Sequence, residues 1–261
     1  MNFSRIFTIA SNVFLEVVRD RILYIIGIFA VLLMGSIRLL PEVSAGLENK
    51  ITLDFGIAMI SLLGLLITVF VSANLINKEI DKKTVYLLVS KPVSPAELII
   101  GKHFGISAFI AVLILVMTLL FFGILSFNKI PYPFTSLSIA FIFMWLQLSL
   151  VAAVGILLGV FTSSLLASLL TLGVYAMGSL SRDLLALGKI SENPTLEQMM
   201  KVTYMILPDL ARLDLKNEAV YGYLPPSSVL ITNGIYAIIY MVLILSLSIA
   251  VFLAERILVK L

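Results

Sequence analysis

The sequence predicts an all-α polytopic membrane protein: six transmembrane helices preceded by an amphipathic interfacial helix, forming a single transmembrane domain over residues 1–261. Two observations carry that expectation. Of the 261 residues, 61% are hydrophobic and 13% charged, whereas a soluble domain has about 45–50% apolar and about 25% charged residues. That surplus exceeds what a core of this size hides from water. Apolar runs of about 20 residues also recur along the chain, the length that crosses a hydrocarbon layer of about 30 Å at about 1.5 Å per residue.

Residues 1–21 come first. Phe3, Ile6, Phe7, Ala10, Val13, Phe14, Val17 and Val18 fall at helical spacing, while Ser4, Arg5, Thr8, Asn12, Glu16 and Arg19 take the other face. This pattern reads as a helix lying along the cytoplasmic surface with its apolar face committed to the membrane. It is not read as a cleaved signal peptide, because the apolar stretch starts late and no small-residue cleavage site follows it.

The first span is expected at 22–40, stopped by Pro41, the second at 55–76 and the third at 95–126. Between Lys129 and Arg182 lie 52 uncharged residues, too many for one crossing. The hydroxyl-rich Phe161-Thr162-Ser163-Ser164 divides them into spans at 135–160 and 164–181. The last span, 227–254, starts after Pro225-Pro226 and ends at Glu255-Arg256.

Six crossings place both termini on one side. Lys and Arg number 3, 2, 5, 1, 0, 5 and 2 before, between and after the spans, counting Arg38 and Lys102 with the loops they adjoin. The second group of five sits in the long segment 182–226, which crosses a membrane with less regard to charge than a short loop does. Discounting it, the positive charge favours cytoplasmic termini, with 77–94 a cytoplasmic loop and 182–226 an external one.

Residues 77–103 hold five lysines and three acids around a short apolar patch, Val85-Tyr86-Leu87-Leu88-Val89. Apolar residues framed by charge mark docking surfaces, although the charge alone also fits an ordinary cytoplasmic loop. Ser94-Pro95-Ala96-Glu97 then reads as a helix start. Ser94 caps, Pro95 needs no donor at the first helical position, and Glu97 reaches back to the cap amide. A third helix beginning at Pro95 is a rigid rod that force on the loop moves.

In the external segment, Asn193-Pro194 offers a start for a helix through Met205, and Pro208 breaks it. Two readings stay open for this segment: an outer gate or cap over a pathway, or packing that ties the fifth and sixth spans together.

Charge within the spans is expected to be almost absent, with Arg38 and His103 at span ends and no buried acid to serve a proton-driven carrier. Gly101 and Gly105, and likewise Gly155 and Gly159, stand four apart and permit close helix approach. Trp145 is lipid-facing or packed. The chain has no cysteine and one histidine, which removes thiolate chemistry and multi-histidine metal sites. Gly101-Lys102 is followed by His103 rather than Ser or Thr, so it is no phosphate loop, and neither H-E-x-x-H nor G-x-S-x-G occurs. No enzyme, cofactor or metal role is read for this chain. Its net charge of +3 is too weak for a nucleic-acid surface.

The surface helix, the six spans, the run Asn77-Lys78-Glu79-Ile80-Asp81-Lys82-Lys83-Thr84-Val85-Tyr86-Leu87-Leu88-Val89-Ser90-Lys91-Pro92-Val93-Ser94 and the late Leu207-Pro208-Asp209-Leu210 together resemble ABC-2 type permeases. The resemblance is in particular to the group that includes copper-enzyme maturation and sodium-efflux permeases. Pro92-Val93-Ser94 and Gly101-Lys102 match that pattern, while Lys83 replaces the usual Gly before Thr84.

The resemblance implies the membrane half of an ATP-binding cassette exporter in a bacterial plasma (inner) membrane. Two copies, or one copy and a related permease, would associate with separate cassette ATPase subunits that bind ATP and Mg2+. Docking would fall to Glu79, Asp81, Thr84, Val85, Tyr86, Leu87 and Leu88, and an external gate to Leu207, Pro208, Asp209 and Leu210. The competing expectation is a non-transporting scaffold that transmits ATPase motion to a periplasmic partner.

Overall fold

A computed structural model describes residues 2–19, 22–39, 48–81, 94–190 and 194–258. Among them the chain forms α1 (Phe3–Arg19), α2 (Ile22–Leu39), α3 (Glu48–Asp81), α4 (Pro95–Phe127), α5 (Phe134–Phe161), α6 (Ser164–Ser179), α7 (Ser181–Ile190), α8 (Pro194–Ile206), a 3-10 turn (Leu210–Arg212), α9 (Lys216–Tyr221) and α10 (Ser227–Leu258). The described residues contain helices and no strand. Four stretches are long and apolar enough to cross a membrane: Asn49–Asn77, Pro95–Phe127, Phe134–Phe161 and Ser227–Ala254. α6 and α7, bent by 62° where they meet, make a fifth if taken together, and Ile25–Arg38 in α2 is a shorter apolar helix.

Local chemistry explains the main boundaries. Ser94 Oγ accepts the Glu97 amide at 3.2 Å, and Glu97 Oε2 accepts the Ser94 amide at 3.0 Å. These reciprocal bonds start α4 at Pro95, as the sequence predicts. α5 ends at Phe161 because Thr162 and Ser163 are extended, which breaks the long uncharged stretch at the expected place. α3 runs beyond 55–76 at both ends: charged residues end an apolar run without ending the backbone hydrogen bonding of a helix.

α5 is the central element, mostly buried among its neighbours, while α10 is peripheral and mostly exposed. Glycines set the closest approaches. A Cβ on Gly159 would stand 2.9 Å from the Ala73 carbonyl oxygen, and one on Gly155 would overlap the Ser72 hydroxyl, so α3 and α5 touch backbone to backbone.

α1 corrects the sequence reading. Its Ile6, Val13 and Val17 are buried against α4, where a Cβ on Gly105 would lie 2.6 Å from the Ala10 carbonyl oxygen and one on Gly101 2.8 Å from Ile9 Cβ. Phe3 and Phe7 stay 84% and 75% exposed. The apolar residues of α1 are therefore divided between protein and surroundings, because α4 offers a glycine-lined groove that periodicity cannot reveal.

Candidate functional site

Two regions carry the polar chemistry. At the first, Glu79 and Asp81 occupy the last turn of α3, with side chains outside the described residues, as are Thr84, Val85, Tyr86, Leu87 and Leu88. The structure does show how the flanking helices are held. Glu97, 4% exposed, accepts the Asn2 amide at 2.7 Å and lies 3.8 Å from Arg5 Nη1, which joins α1 to the first turn of α4.

One turn further along α4, Lys102 is 2% exposed and its ammonium donates to the Leu75 carbonyl of α3. His103 Nε2 donates to the Ser149 carbonyl at 3.0 Å. The Ser107 and Ser149 hydroxyls share a hydrogen bond of 2.8 Å, and Trp145 Nε1 donates to the Ser107 carbonyl at 2.9 Å. Trp145 is thus packed against α4. Asn77 Nδ2 donates to the Gly159 carbonyl at 3.2 Å, and Ser164 Oγ donates to Asn74 Oδ1. Around this level α3, α4, α5 and α6 are cross-linked by side chains whose alternative, an unsatisfied polar group in an apolar interior, is costly.

The second region is built on the segment after α8. Leu207 is half-buried and Pro208, Asp209 and Leu210 are buried. Asp209, 3% exposed, accepts Arg212 Nε at 2.9 Å, Ser181 Oγ at 2.9 Å and the Tyr204 hydroxyl at 3.4 Å, with Arg182 Nε 3.6 Å away. Its own amide donates to the Tyr236 hydroxyl of α10 at 2.8 Å.

Burial alone would raise the Asp209 carboxyl, but the hydrogen bonds from Arg212 and Ser181 and the Arg182 and Arg212 charges outweigh it and hold the group below the usual carboxylate value. Arg212 in turn donates from Nη2 to the Tyr204 hydroxyl at 3.3 Å, and that bond, followed by the one to Asp209, raises Arg212 above its ordinary value. Arg212 also lies over the Tyr236 ring, 5.0 Å from its centroid.

Backbone anchors fix the segment to three helices. Gln147 Nε2 of α5 donates to the Leu210 carbonyl at 3.1 Å, Tyr240 of α10 donates to the Ile206 carbonyl at 2.7 Å, and Asn233 Nδ2 donates to the Arg212 carbonyl at 3.0 Å. A Cβ on Gly178 of α6 would lie 2.6 Å from the Pro208 carbonyl oxygen. Asp209 itself ties α7, through Ser181, to α10, through Tyr236.

Buried charge is therefore present, contrary to the sequence expectation. Glu97, Lys102 and Asp209 are each enclosed, because each finds donors or acceptors on an element distant in the chain. The missed signal was a lysine inside an apolar span, which is itself a pointer to function.

A family model described as ABC-2 family transporter protein matches residues 7–256 of the chain. No curated protein matches it.

Proposed function

This chain belongs to the ABC-2 transporter family, and on that premise we propose that it is the permease half of an exporter driven by two separately encoded cassette ATPase subunits. It is a multi-pass membrane protein and a permease subunit of an ABC transporter, a membrane component that works with ABC ATPases rather than a catalyst. The finer reading adds a second copy, or a related permease, beside it. Six spans then leave both termini in the cytoplasm of a bacterial inner membrane, with the substrate path between the two permeases.

In this reading Glu79, Asp81 and residues 84–88 seat in a cleft of the ATPase. Closure of the ATPase dimer around ATP and Mg2+ pushes that segment, α3 and α4 tilt, and the path opens outward past Leu207, Pro208, Asp209 and Leu210. The observation that carries the reading is the family match across 7–256, which includes both segments. The capped start of α4 at Pro95 supports it, since a rod begins where the push is applied.

The test is purification of the chain alone and with its cassette ATPase. The expected result is a complex of two permease and two ATPase subunits that hydrolyses ATP, while the chain alone neither binds nor hydrolyses it. Saturable nucleotide binding by the chain alone, or failure to recover any cassette ATPase with it, overturns the proposal.

A further inference from the structure

We propose that Lys102 is a positioning residue for the coupling step: its ammonium ties α4 to the cytoplasmic end of α3, so that the helices flanking residues 82–93 move as one body. The inference rests on the transporter reading above for the source of the motion, but not for the tie itself.

Lys102 is 2% exposed and donates to the Leu75 carbonyl. Enclosing an ammonium among membrane helices is costly even when it is paired. An unbranched apolar side chain would fill the same space without that cost, so the charge is better explained by the arrangement it fixes than by stability.

Its place in the fold indicates which arrangement. Lys102 lies about two turns after the start of α4, and Leu75 about two turns before the end of α3. The tie therefore crosses at the base of the two helices that bracket the docking segment. Nearby, Asn77 bonds α3 to α5 through Gly159, and His103 bonds α4 to α5 through Ser149. Those bonds hold each helix to the central one. Lys102 joins α3 to α4 directly.

The chain has no cysteine, so spin-label pairs can be introduced cleanly at exposed positions: Phe70 on α3 with Phe104 on α4, and Phe104 with Ile239 on α10. Distances are measured in the permease–ATPase complex without nucleotide and after trapping with ATP and vanadate. In the parent protein the 70/104 pair should keep one narrow distribution in both states, while the 104/239 distance shifts on trapping.

Lys102→Met should broaden or split the 70/104 distribution and lower permease-stimulated ATPase activity several-fold. Lys102→Arg, which keeps charge and donors, should restore the narrow distribution. If Lys102→Met does not accumulate in the membrane, Lys102→Gln, whose shorter amide falls short of the carbonyl, is measured in its place. A 70/104 distribution as narrow as the parent's in both states, with normal ATPase stimulation, overturns the proposal. Should the 104/239 distance fail to respond to nucleotide in the parent protein, the transporter reading fails, while the nucleotide-free 70/104 comparison still decides the role of Lys102.

Discussion

The side-chain amide of Gln147, midway along α5, donates to the backbone carbonyl of Leu210 at 3.1 Å. The segment after α8 therefore reaches about 20 Å below the Phe134 end of α5, and its one buried carboxylate, Asp209, is held among helices rather than in a peripheral loop.

Asp209→Asn keeps the size of the side chain and leaves Arg212 with a neutral partner. Because Arg212 is partly exposed, the expected loss is about 1–3 kcal/mol, seen as a lower unfolding temperature in detergent at neutral pH. The native carboxyl is held below its ordinary value, so its contribution is complete above the unfolded value of about 3.9 and is lost as pH falls through the lower native one. The difference between the parent and Asp209→Asn should shrink toward zero in strong acid. A difference that grows on acidification contradicts the assignment.

Helix separation should answer to glycine position. Gly155→Ala and Gly159→Ala force a Cβ into Ser72 and the Ala73 carbonyl, so α3 and α5 must move apart and thermal stability should fall. Gly173→Ala and Gly234→Ala meet nothing within 4 Å and should gain up to about 1 kcal/mol from helix propensity. Equal effects at all four positions would show that the α3–α5 contact is not glycine-dependent.

At the docking segment, an apolar side chain seated in a cleft contributes more than rim charges, which are worth about 0–1 kcal/mol each. Tyr86→Ala or Leu87→Ala should cost about 2 kcal/mol of ATPase affinity, roughly thirtyfold, whereas changes at Lys82 or Lys83 should alter mainly the salt dependence. Pull-down of the ATPase at two salt concentrations separates the two outcomes. Normal assembly by both alanine variants would move the dock elsewhere, with α1 the next place to look.

Topology is open to a direct measurement. An impermeant thiol reagent on intact cells should label a cysteine placed at Ser44 or Asn193 and spare one at Ser90 or Ser163. The reverse pattern inverts the orientation, and labelling at both Ser44 and Ser90 changes the number of crossings.

The features legible in the sequence were those written in neighbouring side chains. The Ser94–Glu97 box, the break at Thr162-Ser163 and the helix start at Pro194 each follow from a few adjacent residues, and each stands in the structure. The illegible ones depend on partners far along the chain. Nothing local marks the bend between α6 and α7, where Ser181 bonds Asp209 across 28 positions. Nothing near Lys102 names Leu75, 27 positions away. Periodicity exposed an apolar side of α1 but not that α4 would claim part of it.

The bond between the Asn2 amide and Glu97 spans 95 positions, and it sets an order of events during biosynthesis. At about 5–20 residues per second, roughly 5–20 s separate the emergence of α1 from that of its acceptor. Through that interval Ile6, Val13 and Val17 have no groove to occupy, and the bilayer surface is the natural shelter for them. Insertion of α4 then recruits a helix that has been waiting at the interface, so α1 emerges ahead of α4 but takes its final seat only after it.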